Sequence, residues 1–357
     1  MLIRIYDGKT LEVKCVLTKV ISMQWERYFY DLGNFEFVCS AADPRIKYIQ
    51  TGNIITHADN SGIILYRSQK DSVVTVRGYD LKFFCRARMI VPPFVYMNTP
   101  IDTIYGYDRI KGSAEAVIKH YIDTQLINPT DTERKIKFLT VAANKNRGES
   151  MAWQAKFTTV NEELKKIAQY SKLGYDITFD PENKKFVFDV LNGTDRTTAQ
   201  TAVSPVIFCR EYKNISESEY EQDWLNAVNA AYVGGNGEDE EQYVQELKSD
   251  SCDTDFLRIE GYTSVSSDDV DEVDDGGYAY ISENKPTEHV KASANSRYKY
   301  KKDWFIGDYI TARTNAFGEI LTVNQQIIGA KEVFERCNSY VTPIFNTEDN
   351  ILKKLKG

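Results

Sequence analysis

The chain has 357 residues and a mass of 40.9 kDa, room for two or three domains at roughly 150 residues each. Lys and Arg total 44 against 52 Asp and Glu, a net charge of −8 with a pI near 5.2. This acidic balance argues against nucleic acid as the main partner, because phosphate binding depends on cationic neutralisation. Six widely spread cysteines (15, 39, 85, 209, 252 and 337), without C-x-x-C spacing, exclude a disulfide scaffold or zinc site and are expected to be reduced and mostly buried.

The first residues, Met1 to Gly8, read as a strand entering a turn, without the apolar stretch of a signal peptide. The most apolar window, Met89 to Met97, is too short to cross a membrane and is broken by Pro92-Pro93. Synthesis in a reducing cytoplasm, with no membrane-spanning segment, is therefore expected.

Up to residue 92 the pattern is strand after strand. Val20–Tyr30 and Phe35–Cys39 flank Asp31-Leu32-Gly33-Asn34, and Asn53–His57 and Ile63–Arg67 flank Ala58–Gly62. Gln69-Lys70-Asp71 then leads into Ser72–Gly78. Evenly spaced short strands predict a small barrel or sandwich. The aromatic stripe Trp25, Tyr28, Phe29, Tyr30, Phe35 and Phe37 is expected to be core and interface.

Beyond Pro92-Pro93 helical spacing appears. Ser113–Ile127 carries apolar residues on one face and stops at Asn128-Pro129. A second helix starts at the capping box Thr159-Val160-Asn161-Glu162, with Gly174 expected as its C-cap glycine. Asp176–Phe179 and Phe186–Val190 then form a hairpin, making 93–200 a small α+β unit. Strand character returns at Val206–Cys209 and Ala227–Val233 and again from Tyr298 to Val333. Between them, residues 236–275 hold 15 acidic side chains against Lys248 and Arg258, so this segment carries −13 and the rest of the chain +5. Its sparse hydrophobics predict an exposed or partly ordered excursion. Residues 346–357 are expected to be a basic tail, with Ile351–Gly357 amphipathic.

Catalytic signatures are thin. There is no G-x-S-x-G, H-E-x-x-H, Walker loop or G-x-G-x-x-G, and His57, His120 and His289 are isolated in sequence. Gly234-Gly235-Asn236-Gly237 precedes acidic residues that would repel a phosphate. The run Asp268–Gly276 is the best metal candidate. It fails as an EF-hand, however, because Val273 and Ser282 fall at ligand positions 3 and 12, and a solvated acidic loop is the expectation. No catalytic, cofactor-binding or metal residue is assigned, and no enzymatic activity is expected.

Several stretches resemble a known family. Ser22–Tyr28 followed by Gly33–Phe37, Val76–Leu81, Gly193–Thr197, Asn226–Glu238 and Lys302–Ile310 occur in order and resemble siphovirus-type bacteriophage tail-hub or baseplate-hub proteins. Such proteins are similar to hubs of contractile tails and injection systems. The resemblance implies a mostly β, α+β fold with two small β-barrels. These would be 1–92 and, discontinuously, 201–235 with 296–345, alongside an α+β insertion at 93–200 and an acidic excursion at 236–295. It further implies a structural phage or prophage virion protein: a homotrimeric hub at the tail tip, contacting distal tail or tube proteins and tip or fibre proteins. DNA would pass through its channel without specific binding. The acidic excursion is expected to face solvent or that channel. A carbohydrate-binding tip protein and a tail-associated cell-wall hydrolase are the alternatives.

Overall fold

The computed structural model describes residues 1–92, 94–96, 103–252, 256–294, 298–335 and 338–345. The tail 346–357 and Cys337 lie outside the described residues. The fold is mostly β, with 45% of the described residues in strands and 17% in helices.

Seven strands fill the first eighty residues: β1 (Ile3–Tyr6), β2 (Val13–Leu17), β3 (Val20–Tyr28), β4 (Asn34–Ser40), β5 (Ile54–His57), β6 (Asn60–Lys70) and β7 (Val73–Asp80). Period-2 alternation sends Met23 and Trp25, Phe35 and Phe37, and Val74 and Val76 to one face, where they form a core with Ile3, Ile5 and Ile64. Trp25 stacks on Phe35 with centroids 4.8 Å apart, so the aromatic stripe is core, as expected.

The sheet is larger than 1–92. Its order is β2-β1-β5-β6-β7-β4-β3, followed by the C-terminal strands Gly329–Glu335 and Asn338–Ile344. Gly329–Glu335 runs antiparallel to β3, with Lys331 opposite Glu26, which it pairs at 2.9 Å. The sequence partition assigns these strands to the second barrel, and their apolar residues in fact bridge two cores: Phe334 packs on the first and Ala330 on the second. The sheet curls into a half-barrel. Where a closed barrel was one expectation, its edges β2 and Asn338–Ile344 do not pair with each other among the described residues.

After the short helix α1 (Phe83–Arg86) comes the α+β unit. Helix α2 (Ala114–Ile122) is capped by Ser113, whose Oγ accepts from Ala116 N at 3.3 Å, and runs on as a wider π turn over Asp123–Ile127. Helix α3 (Val160–Ser171) carries the expected capping box, Thr159 with Glu162. The residue at its left-handed end is Lys172 (φ 58°) rather than Gly174, which already lies in the next strand, Leu173–Asp180. That strand pairs with Lys185–Asn192, and both helices pack on the sheet. Fully buried Glu115 on α2 is tied to Arg147 (3.0 Å) and Lys119 (2.7 Å).

A second β unit centres on Tyr309–Ala316. It pairs with Glu319–Gln326 on one side and with Asp195–Arg196 and Ile207–Phe208 on the other. Its core includes Phe208, Trp304, Ile310, Val323 and Ile327. The ribbon Ile215–Asp223 with Thr287–Ala294 lies beside it. The buried Gln325 amide joins the two, donating to Val290 O (3.0 Å) and accepting from Val290 N (2.7 Å).

The acidic segment is not a loop. Ala230–Gly234, Val244–Lys248 and Glu260–Ser264 form a three-stranded sheet covered by helix α4 (Val270–Glu283), with Ala231, Val233, Leu247, Val273 and Ile281 as a small core. Five buried side chains from both elements suffice to order it, which the charge density of the sequence conceals. Gly277 lets α4 approach closely, because a Cβ there would lie 2.4 Å from Val233.

Candidate functional site

The histidines lie apart, each with its own contact. His57 Nδ1 is 2.9 Å from Leu2 O, His120 Nε2 is 2.7 Å from Asp108 Oδ1, and His289 Nε2 is 3.7 Å from Glu221 Oε2. Cys39, Cys85 and Cys209 are buried thiols, and burial pushes Cys39 up to about 11, away from thiolate chemistry.

The carboxylates of 268–276 are spread around a helix, and among the described residues no three His, Cys, Asp or Glu side chains converge on a metal position. They anchor the lobe instead. Asp269 caps α4, accepting from Asp271 N (3.0 Å), and Asp271 and Glu272 lie in its first turn, where the helix dipole favours negative charge. Buried Glu272 accepts from Ser267 Oγ at 2.5 Å. Asp275 accepts from Ala152 N (2.6 Å) and Tyr170 Oη (2.7 Å), Arg109 donates to Ser266 O (2.9 Å), and Lys111 pairs with Asp271, so the lobe docks on the α+β unit. The expected solvated loop is thus a helix with three of its carboxylates committed to in-chain contacts.

The most densely built region is where the three units meet. Phe29, fully buried, lies just past the end of β3. A Cβ on Gly174 of the α+β unit would fall 2.4 Å from its ring, and one on Gly307 of the second β unit 2.3 Å. Phe29 is therefore clamped between two chain segments that only glycine allows that close, and Gly307 also has φ 101°. Backbone bonds reinforce the clamp, with Phe29 N donating to Ile328 O (2.7 Å) and Tyr175 N to Phe29 O (3.2 Å).

Half-buried and buried charges lie beside it. Arg27 donates to Asp176 (2.5 Å) and to Asn60 (3.2 Å), and Asn60 donates to Glu332 (2.9 Å). Burial works against the Arg27 charge, yet Asp176, Tyr300 and Asp80 raise its pKa. Asp80 accepts from Gly33 N (2.7 Å) and faces Lys82 at 3.7 Å. Burial outweighs Lys82 and raises the Asp80 carboxyl to about 6. Lys82 Nζ donates to Tyr28 O (2.6 Å) and also to Asp31 O.

The motifs that carry the resemblance meet in space. Gly33 of one binds Asp80 of another. Asp308 accepts from Thr194 N (3.0 Å) and Arg196 Nε (2.8 Å), joining two more. Buried Asn229, in the Asn226–Glu238 motif, donates to Leu257 O (2.6 Å) and Ser251 O (3.0 Å). These residues shape the scaffold. The clamp itself escapes sequence reading: Phe29 looks like one more strand aromatic and Gly174 like a helix stop.

The outer surface offers open strand edges and isolated apolar side chains. Glu319–Gln326 pairs with Tyr309–Ala316 alone among the described residues. The turn before it exposes Phe317 (87%), held at φ 53°, a costly conformation for a bulky residue. Ile320, Leu225 and Phe256 are also exposed. Open edges and unburied apolar groups are the raw material of protein–protein assembly.

The fold is shared with several solved structures. Prophage tail protein gp18 from Listeria monocytogenes aligns with a TM-score of 0.58 at 13% identity, over 100% of this chain and 98% of that one. The 43 kDa tail protein of prophage MuSo2 from Shewanella oneidensis gives 0.56 at 10% identity, over 96% and 97%. A tail protein from Neisseria meningitidis gives 0.54 at 14% identity, over 96% of both chains. No curated protein matches the sequence. Residues 2–345, nearly the whole chain, match the model of the Siphovirus ReqiPepy6 Gp37-like protein family, and the chain belongs to that family of siphovirus tail proteins.

Proposed function

We propose that this protein is the trimeric hub of a phage or prophage tail tip, joining the tail tube to tip or fibre proteins around the DNA exit channel. The observation that carries the reading is the presence of two β units in one chain, held against each other through Phe29, Gly307 and the strands 329–344. Three such chains present six β units in a ring, which lets a three-fold tip abut a six-fold tube. Family membership and end-to-end likeness to tail proteins support the same reading.

Work of this kind needs interfaces rather than chemistry. The exposed apolar groups and open edges would be covered by neighbouring copies and by tube and tip proteins, as in obligate assemblies. The acidic lobe, outside its docking face on α3, would point to solvent or the channel. There, like charge keeps DNA from adhering as it passes. The test is copy number in purified tails, by quantitative mass spectrometry against the tube protein. Three copies per tail are expected, and one or many per tail would refute the hub.

A further inference from the structure

The three-stranded sheet of the acidic lobe has two unlike faces. One lies under α4 and is apolar, with Ala231, Val233 and Leu247. Alternation puts Tyr232 of the central strand on the other face, with Tyr262 beside it in register on Glu260–Ser264. Tyr232 is 38% exposed and Tyr262 57%, and Glu246, Lys248 and Glu260 around them are exposed as well.

The Tyr262 phenol lies down across the sheet. A Cβ on Gly234 would fall 2.4 Å from its Oη, and Gln242 Nε2 lies 3.4 Å from the same oxygen. Gly234 belongs to the central strand and Gln242 leads into Val244–Lys248 on the far side, so the phenol spans a residue without a side chain. The Tyr232 hydroxyl is held too, accepting from Arg258 Nη2 at 3.3 Å.

Charge on this face cancels. Arg258 donates to Glu246 and to Glu260, both at 2.6 Å, and Lys248 Nζ is 3.3 Å from Glu246. Two carboxylates thus meet two cations, in a segment whose sequence is otherwise strongly acidic. Exposed rings among self-neutralised polar groups suit a neutral ligand better than an anion or a basic peptide. A pyranose has this complementary chemistry. Its C–H face meets the negative face of an aromatic ring, and its hydroxyls reach charged and amide groups at the edge.

We propose that the Tyr232–Tyr262 face binds a neutral glycan, a hexose polymer of the kind exposed on cell surfaces. The binding function is separate from hub assembly and does not rest on it.

The experiment is saturation-transfer NMR on the full-length chain with chitohexaose, cellohexaose and maltohexaose as probes, at millimolar concentration. At least one probe is expected to bind saturably. Affinity should fall about tenfold in Tyr232→Ala and in Tyr262→Ala, the loss of one stacked ring. Tyr262→Phe keeps the ring and should keep most of the binding, which separates stacking from damage to the lobe. Binding should persist as salt is raised, because the ligand is neutral. No binding of any probe, or affinity unchanged when either ring is removed, would overturn the proposal. So would binding lost with salt, which would make charge the recognised feature. Self-association of the chain abolished by Tyr262→Ala would assign the face to a second copy and overturn it equally.

Discussion

The Phe29 junction and the acidic lobe are held in opposite ways. At the junction one fully buried ring is gripped by two glycines from distant parts of the chain, with the half-buried pair Arg27–Asp176 and the buried pair Asp80–Lys82 alongside. The lobe's own core is five buried apolar residues, and it reaches its neighbour through Ala279, which joins the core of the α+β unit, and through exposed or bridging charges. Tight packing forfeits energy for any displacement, whereas exposed ion pairs are weak and screened by salt. The difference fits a hub whose β units must keep one orientation while an appended lobe adjusts to its partner.

If the clamp holds the units together, damage there should have the largest effect. Phe29→Ala is expected to cost about 3–5 kcal/mol in denaturant unfolding, and Gly174→Ala about 1–3 kcal/mol by overpacking the ring. The double variant should be less destabilised than the sum, because the truncated ring makes room for the new Cβ. Strict additivity would show that the two do not touch.

The buried charge beside the clamp gives a pH signature. Asp80 has its folded pKa raised from 3.8 to about 6, so its contribution to stability is full below 3.8 and is lost as pH rises through about 6. A rise of that size corresponds to about 3 kcal/mol between the two ends of the window. Asp80→Asn should flatten the dependence of unfolding free energy on pH across that window, and an unchanged slope would remove Asp80 from the account.

In the lobe effects should be smaller and local. Val273→Ala is expected to cost about 2 kcal/mol, read as faster amide exchange in 230–283 with the Phe29 region unchanged. Acceleration at both places would make the lobe and the junction one cooperative unit. Smallest of all, Lys111→Ala should cost less than about 1 kcal/mol, because its pair with Asp271 is exposed. A larger loss would mean the lobe depends on that pair.

Much of the fold was legible where local chemistry decides it. The strands of the first ninety residues other than β2, the Thr159 capping box and the 176–190 hairpin follow from alternation, caps and turns. What sequence hid depends on long-range packing. Gly174 follows a helix and resembles a stop signal, yet its lack of a side chain serves Phe29, 145 positions away. The run Asp268–Gly276 looks solvated because charge and paired glycines disfavour a helix, but those glycines let α4 lie close on Val233 and Val265. Strand character reads as far as Val333, within Gly329–Glu335, but not over Asn338–Ile344, and the pairing of Gly329–Glu335 with β3 is set by contacts some 300 residues apart. The motifs behind the family resemblance were visible as words, and only the structure shows that they bond to one another.

The central claim is that this chain forms a three-fold ring on the tail axis. A reconstruction of the tail tip by electron cryomicroscopy, with the fold placed in density, tests it most directly. The expected result is three copies around the channel with their six β units facing the tube; a copy located off the axis, in a fibre or on the outer tube, would contradict it.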